Sequence, residues 1–154
     1  MQNINNDVLS IMKFIESCGY ECYITGGFVR DLIIGRKSND YDLCTNMPLE
    51  ELKIHYPLLA MMCQNDRRKT GIITLNNMDV ELTEFRGKDL YEDLLLRDIT
   101  INSIAMDCRG KIYDPMNGIS DIKNKIIRYN RSSIEYDSCA ILRSIRFEGV
   151  LGYE

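Results

Sequence analysis

The stretch YITGGFVRDLIIGRKSNDYDLCT, residues 23–45, carries the features that decide the fold. A short apolar run ends in Gly26 and Gly27, and a second apolar run follows that is closed by Gly35. This order predicts a strand, a tight turn at the two glycines and a helix that ends at Gly35. The residues DYDLCT, 40–45, then predict a second strand, which begins with two aspartates on either side of a tyrosine.

The two aspartates of the second strand are candidates for a metal site. Residues two apart on a strand project to the same face, so Asp40 and Asp42 lie side by side while Tyr41 points to the other face. Two adjacent carboxylates repel each other unless a cation lies between them, and oxygen ligands of this kind suit Mg²⁺ better than zinc. Taken alone, the pattern more often marks the solvated end of a polar strand.

The glycine pair is a candidate phosphate site. Glycines between a strand and a helix let backbone N–H groups approach a phosphate, and the helix N-terminus adds a favourable field. Arg30, one turn into the predicted helix, reaches the same anion. A glycine pair alone is often an ordinary turn, but Gly26, Gly27, Arg30 and the Asp-Tyr-Asp motif together indicate a phosphate site beside a metal site. That combination is typical of transfer chemistry on a nucleoside triphosphate.

The segment MDVELTEF, residues 78–85, supplies a candidate third carboxylate. Val80 and Leu82 alternate as core-facing positions, which places Glu81 on the opposite face of the strand. We predict that Glu81 assists the two aspartates. The alternative is a solvated strand residue without a catalytic role.

The rest of the chain alternates helical and strand patterns. Helical spacing predicts an amphipathic helix over 7–18, a helix beginning at Pro48 and a short helix over 118–125. Apolar runs predict three strands within 58–85, the last two joined by a turn at Asn76-Asn77, a hairpin around Arg109-Gly110, a short strand over 126–128 and a longer helix from Ser132 onward.

Taken in order, these motifs resemble one known family. GGFVRD (26–31) followed by DYD (40–42) resembles the head domain of the class II tRNA nucleotidyltransferase (CCA-adding enzyme) and bacterial poly(A) polymerase family. The likeness extends over nearly the whole chain. It continues in the strand VELTEFR (80–86), in LRDITINSIAMD (96–107), in the hinge-like YDPMNGISDIKNKIIR (113–128) and in YDSCAILRSIRF (136–147), which looks like the start of the family's neck helix.

The resemblance implies a fold and a reaction. The fold is α+β and polymerase-β-like, with a small mixed sheet flanked by helices and followed by the start of a helical neck. Residues 1–128 would form the catalytic head, and residues 129–154 would begin a truncated neck. The implied reaction is template-independent: the 3′-hydroxyl of an RNA, expected to be a tRNA, attacks the α-phosphate of CTP or ATP and releases pyrophosphate.

The resemblance also implies roles for individual residues. Asp40 and Asp42 would hold Mg²⁺, assisted by Glu81. The nucleotide-binding set would be Gly26, Gly27 and Arg30 at the phosphates, Arg97 at the nucleotide, Asp98 and Asn102 near the sugar, Asp137 at the base, and Arg143 and Arg146 at the triphosphate. Independently of the family, two arginines three residues apart on a helix suit an anion, although a solvated helix face has the same spacing.

The sequence departs from the family pattern in the part that reads the base. The family's neck motif is Glu-Asp-x-x-Arg, but Tyr136 stands at its Glu and Ala140 at its Arg. Alanine offers no donor to a base edge, which should cost on the order of 1–3 kcal/mol of discrimination. Leu96 and Asn117 also replace a family arginine and a hinge glycine. Three explanations stay open: a transferase with altered base choice, a CCA-type enzyme that reads bases with other residues, or a nucleotide-binding module without efficient transfer.

Composition restricts partners and location. The net charge of −4 suggests that this chain alone holds RNA weakly, because proteins that grip a nucleic acid backbone usually carry a basic excess. No apolar run approaches the roughly 20 residues that span a bilayer, and MQNINNDVLS, residues 1–10, lacks the pattern of a secretory signal. We therefore expect a cytoplasmic protein that does not bind a membrane. No pattern in the sequence indicates an oligomeric state or an acceptor other than RNA, although a small-molecule or protein acceptor is a further alternative.

Overall fold

The computed structural model describes residues 4–64, 68–129, 147 and 149–153 of the 154-residue chain. The strands in this part are β1 (Cys22–Thr25), β2 (Tyr41–Thr45), β3 (Ala60–Gln64), β4 (Arg68–Leu75), β5 (Met78–Glu84), β6 (Ala105–Met106) and β7 (Ile112–Tyr113). The helices are α1 (Asn6–Ser17), α2 (Gly27–Ile34), α3 (Leu49–His55), α4 (Leu90–Leu95) and α5 (Gly118–Asn124), with a 3₁₀ turn at Thr100–Asn102. Of the described helices, none has both the length and the apolar character required to cross a membrane.

The strands form one mixed sheet. Its order within the described residues is β3-β4-β5-β2-β1-β6-β7. β2 and β5 pair in parallel, and every other neighbouring pair is antiparallel. The predicted mixed sheet flanked by helices is therefore confirmed.

The main core lies on one face of the sheet. α1 buries one stripe at helical spacing, and the strands contribute alternating positions to the same cluster, whose members include Val8, Ile11, Met12, Ile15, Ile24, Leu43, Val80 and Leu82. Tyr41 points into this core, as predicted, with its ring stacked 4.4 Å from that of Phe28. Its hydroxyl accepts a hydrogen bond from the Asn5 backbone N–H at 3.1 Å. This bond links the N-cap of α1 to the first residue of β2, which lies between the two aspartates.

A smaller cluster lies on the other face and is covered by α4. It contains Cys44, Leu90, Leu94 and Ala105. Sequence reasoning missed α4, although its signal is present: the Asp89 side chain accepts from the Glu92 N–H at 2.9 Å, and Glu92 Oε2 accepts from the Lys88 N–H at 3.0 Å. This arrangement is similar to a capping box with aspartate as the cap, except that Glu92 accepts from the N–H of the residue before the cap.

Two other predictions have different outcomes. The turn at Asn76-Asn77 is confirmed, because both residues have positive φ angles, 48° and 63°, as a two-residue hairpin turn of the primed type requires. The predicted strand over 126–128 is wrong. Residues 126–128 lie in no strand, and the residue after them, Tyr129, makes an isolated antiparallel bridge with Ile99. Most of the helix predicted from Ser132 lies outside the described residues, but residues 147 and 149–151, near its predicted end, are helical.

We predict that replacing Thr70 by valine stabilises the protein. Thr70 lies on β4 opposite Thr83, and its hydroxyl is buried without a hydrogen-bond partner in the described part of the chain. Removing a buried unpaired hydroxyl while keeping the shape should raise the free energy of unfolding by about 1 kcal/mol.

Thr45→Val is the matched control, because the Thr45 hydroxyl is buried but paired. It donates to the Glu21 carbonyl at 2.6 Å and accepts from the Met47 N–H at 3.0 Å. This variant should lose about 1–3 kcal/mol. Urea denaturation measures both changes, and a Thr70→Val variant destabilised as much as Thr45→Val would contradict the prediction.

Candidate active site

Three polar side chains form a row across the sheet on the face opposite the main core. Asp42 on β2 is in register with Thr25 on β1 and with Glu81 on β5. Residues in register on neighbouring strands project to the same face, so Asp42 is flanked by Thr25 on one side and Glu81 on the other. Asp42 and Glu81 are both half-buried. The fold thus brings together two of the three predicted carboxylates from strands about 40 residues apart in the sequence.

Gly26 lies directly against this row. It precedes α2 with φ 69° and ψ −134°, and a Cβ atom at this position would lie 3.0 Å from Asp42 Oδ2. Glycine is needed here both for the backbone conformation and for the close approach of the carboxylate. Among the residues that the structure describes, no side chain caps α2 at this end, so the helix start, Gly27 included, presents backbone N–H groups beside the Asp42 carboxylate.

Asp40 occupies a different position from Asp42. It is exposed, precedes the first residue of β2, and lines an open cavity of about 560 Å³ together with Asn5, Asn39, Asn77, Met78 and Asp79. Neither Asp42 nor Glu81 lines that cavity. The part of the chain that the structure describes contains no group of three or more His, Cys, Asp or Glu side chains arranged around a metal position.

The carboxylates still fit Mg²⁺ by the chemistry of their donors. Mg²⁺ prefers oxygen ligands and in nucleotide sites is usually held by one or two carboxylates together with substrate phosphates. Asp42 offers such oxygens beside a glycine whose missing side chain leaves the carboxylate approachable, and Glu81 is its neighbour in register. That Asp40, Asp42 and Glu81 bind the metal together stays a prediction.

Arg30 is held by protein groups on α2 and on the 3₁₀ turn. Its Nε donates to Asp31 Oδ1 at 3.0 Å and its NH1 donates to Asn102 Oδ1 at 2.8 Å. The guanidinium is buried and lies 4.9 Å from the centre of the Phe147 ring, within range of a cation–π contact. The structure thus joins two predicted nucleotide residues, Arg30 and Asn102, although the phosphate role of Arg30 stays a prediction.

Arg97 extends the polar row towards α4. Its Nε and NH2 both lie 3.0 Å from Oδ2 of the buried Asp93. Burial by itself lowers the pKa of Arg97, but Asp93, Cys44 and Asp42 act in the opposite direction and the pKa lies above its ordinary value. Arg97 is therefore a fixed positive charge near the carboxylate row.

Cys44 lies two residues after Asp42 on the same face of β2, within electrostatic reach of the Arg97 guanidinium. Burial raises the pKa of its thiol to about 12, with Arg97 acting in the opposite direction. The thiol is accordingly neutral at physiological pH and serves as a packing residue rather than a nucleophile.

The remaining predicted residues divide into two groups. Asp98 is half-buried, and its side chain accepts from the Ile99 N–H at 3.0 Å, which fixes it at the entrance of the 3₁₀ turn. Asp137, Arg143 and Arg146 lie outside the described residues.

Sequence reasoning missed Asp93, whose signal was the spacing of four between it and Arg97 on a helical segment.

The hinge-like segment docks by a close backbone contact. A Cβ atom on Gly118 would lie 2.2 Å from the Thr100 carbonyl oxygen, so only glycine fits where α5 meets the 3₁₀ turn. Asn117, which stands at a glycine of the family pattern, adopts φ 58°, a left-handed conformation that asparagine tolerates better than other residues with a side chain.

Comparisons with known proteins agree with this geometry. Residues 22–91 and 84–128 match the family described as the poly(A) polymerase head domain. The chain is 35% identical over 155 residues to the CC-adding tRNA nucleotidyltransferase of Halalkalibacterium halodurans, an alignment that covers 99% of this chain and 41% of the relative. It is 33% identical to the CCA-adding enzyme of Geobacillus sp. over 94% of this chain and 40% of the relative.

A solved structure shows the same fold. The CCA-adding enzyme of Bacillus stearothermophilus in complex with CTP superposes with a TM-score of 0.85 at 30% identity, over 99% of this chain and 41% of that one. The chain thus spans about two fifths of the length of the relatives it matches.

Proposed function

This chain belongs to the poly(A) polymerase head domain family, and on that basis we propose that it transfers a nucleotide from CTP or ATP to the 3′-hydroxyl of an RNA without a template. The proposed acceptor is the 3′ end of a tRNA, because two relatives that align with nearly the whole of this chain are a CC-adding tRNA nucleotidyltransferase and a CCA-adding enzyme. Residues 1–128 are proposed to form the catalytic head and residues 129–154 the beginning of a neck.

One observation carries the proposal. The Asp42 carboxylate lies against Gly26 at the open start of α2, with Glu81 next to it in register. A helix start binds phosphate through its backbone N–H groups, whereas carboxylates require a cation to approach a phosphate. The two features side by side suit a metal-bound triphosphate better than either a free phosphate or a free metal ion.

The residues of the chain then divide the work of the transfer. The backbone at Gly26 and Gly27 would hold phosphate oxygens, and Arg97 would add a fixed positive charge near the nucleotide. Asp40 and Asp42, assisted by Glu81, would hold Mg²⁺, which would neutralise phosphate charge and polarise the attacking hydroxyl. A bond would form between the 3′-oxygen and the α-phosphorus while the bond from that phosphorus to the pyrophosphate oxygen breaks, and the hydroxyl proton would pass to water.

The choice of base depends on residues other than an arginine at position 140. Ala140 has no side-chain donor, so the arginine of the family motif is missing from any template for the base. The relative from Halalkalibacterium halodurans is a CC-adding enzyme, while others are CCA-adding enzymes. Comparing the incorporation of nucleotide from CTP with that from ATP therefore decides which of these two activities the chain shares.

The proposal is tested by incorporation of labelled CTP or ATP into tRNA that lacks its 3′-terminal CCA, in the presence of Mg²⁺. We expect incorporation of at least one nucleotide by the protein and none by the Asp42→Ala variant. GTP and UTP serve as controls for base choice. Absence of incorporation from all four nucleotides would contradict the proposed transfer.

A nucleotide-binding module without turnover is the second candidate. Ala140 and the net charge of −4 favour it, because both weaken recognition of base and RNA. It predicts saturable binding of a nucleoside triphosphate with no release of pyrophosphate. Measurable release with tRNA present would eliminate this candidate.

A further inference from the structure

Asp93 on α4 is a buried carboxylate to which the proposed transfer assigns no part. It is fully buried, on the same side of the sheet as Asp42. We infer that Asp93 is a positioning residue, which fixes the direction of the Arg97 guanidinium so that the arginine meets the nucleotide beside the Asp42 row. This inference rests on the proposed function.

Both oxygens of the Asp93 carboxylate have defined partners. Oδ2 accepts from Nε of Arg97 and lies 3.0 Å from its NH2, so two nitrogens of one guanidinium share one oxygen. Oδ1 accepts from the backbone N–H of Arg86 at 3.1 Å. Contact through two nitrogens sets the orientation of the guanidinium plane as well as its distance.

The Arg86 contact connects the arginine to the strand that carries Glu81. Arg86 lies two residues beyond the end of β5, and its N–H is held by the same carboxylate that holds Arg97. Asp93 therefore couples the position of Arg97 to the end of the strand that supplies Glu81.

Stability alone explains this pair poorly. A buried ion pair loses much of its attraction to desolvation, and apolar residues of similar volume are often as stable at such positions. Cys44, Leu90, Leu94 and Ala105 already provide an apolar cluster around it. A guanidinium whose direction is already fixed favours nucleotide binding, because less side-chain rotamer freedom is lost when the nucleotide binds.

The first test is Asp93→Asn, which keeps the volume and removes the charge. We expect the KM for CTP or ATP to rise roughly tenfold, as for loss of a charged hydrogen bond, with a smaller change in kcat. Glu92→Gln is the matched control. Glu92 is the neighbour of Asp93 on α4, and it forms an exposed ion pair with Lys88, which lies four residues earlier in the sequence. The control should change KM less than about twofold.

The second test separates positioning from folding. Arg97→Gln alone is compared with Asp93→Asn/Arg97→Gln, which removes both charges of the buried Asp93–Arg97 pair and leaves Arg86, whose Nε lies 4.0 Å from Asp93 Oδ1, as the partly exposed third member. If Asp93 acts through Arg97, the two variants have the same KM for the nucleotide. A further rise in KM in the double variant, or an unchanged KM in folded Asp93→Asn, would overturn the inference. Lack of transfer by the wild-type protein would instead overturn the proposed function.

Discussion

Replacing Asp42 by asparagine should slow nucleotidyl transfer roughly a thousandfold or more, because metal-assisted charge stabilisation contributes several kcal/mol to such reactions. Asparagine keeps the size of the side chain but removes the negative charge that a divalent cation requires. Asp42 is half-buried and lies in register with Glu81, so the variant removes one of two neighbouring carboxylates. The measurement is kcat/KM for incorporation of labelled CMP into tRNA.

Asp79→Asn is the matched control for this variant. Asp79 lies on β5, two residues before Glu81 and on the same face, but it is exposed and accepts a hydrogen bond from the Thr74 hydroxyl at 2.6 Å. Its replacement should change kcat/KM less than about threefold, since exposed charges are strongly screened. An Asp42→Asn variant that stays within a factor of about ten of the wild type would contradict the role assigned to Asp42.

Replacing Gly26 by alanine should reduce transfer by about a hundredfold or more while the protein stays folded. The new methyl group would lie 3.0 Å from Asp42 Oδ2, in a conformation with φ 69° and ψ −134° that residues with a Cβ rarely adopt. Either the carboxylate or the turn has to move, and both are parts of the proposed phosphate site. The expected cost in stability is about 1–3 kcal/mol from backbone strain.

Gly35→Ala tests the same backbone strain at the other end of α2. Gly35 has φ 82°, but a Cβ atom there meets nothing within 4 Å. Thermal denaturation should show that both variants are destabilised, whereas only Gly26→Ala should lose activity. Equal activities of the two variants would show that the contact between Gly26 and Asp42 does not matter for transfer.

Local patterns predicted most of the fold. Alternation placed Val80 and Leu82 in the core, and the Asn76-Asn77 turn was recognisable because asparagine tolerates positive φ. The sequence did not predict that residues 126–128 would fail to pair as a strand, since pairing depends on a partner that only the folded chain provides. It also concealed α4, whose apolar residues cover a small second cluster rather than the main core.

The candidate site was predictable in its residue types but not in its contacts. The Asp-Tyr-Asp spacing indicated two carboxylates, yet Asp40 lies outside β2 at an open cavity while Asp42 lies at the glycine turn. The register that places Glu81 beside Asp42 comes from a parallel pairing between distant strands. Likewise, the spacing of Arg30 and Asn102 in the sequence could not reveal their hydrogen bond.

The central claim is that a divalent metal and a nucleoside triphosphate meet between the Gly26-Gly27 turn and Asp42. The most direct test adds Mn²⁺ and CTP to the isotopically labelled protein and follows paramagnetic broadening of its backbone amide signals. The signals of Gly26, Gly27, Asp42 and Glu81 should broaden first, while that of Gly110, in the hairpin between β6 and β7, should stay sharp. Broadening centred on the Gly110 hairpin, with the Gly26 and Asp42 signals unchanged, would contradict the account.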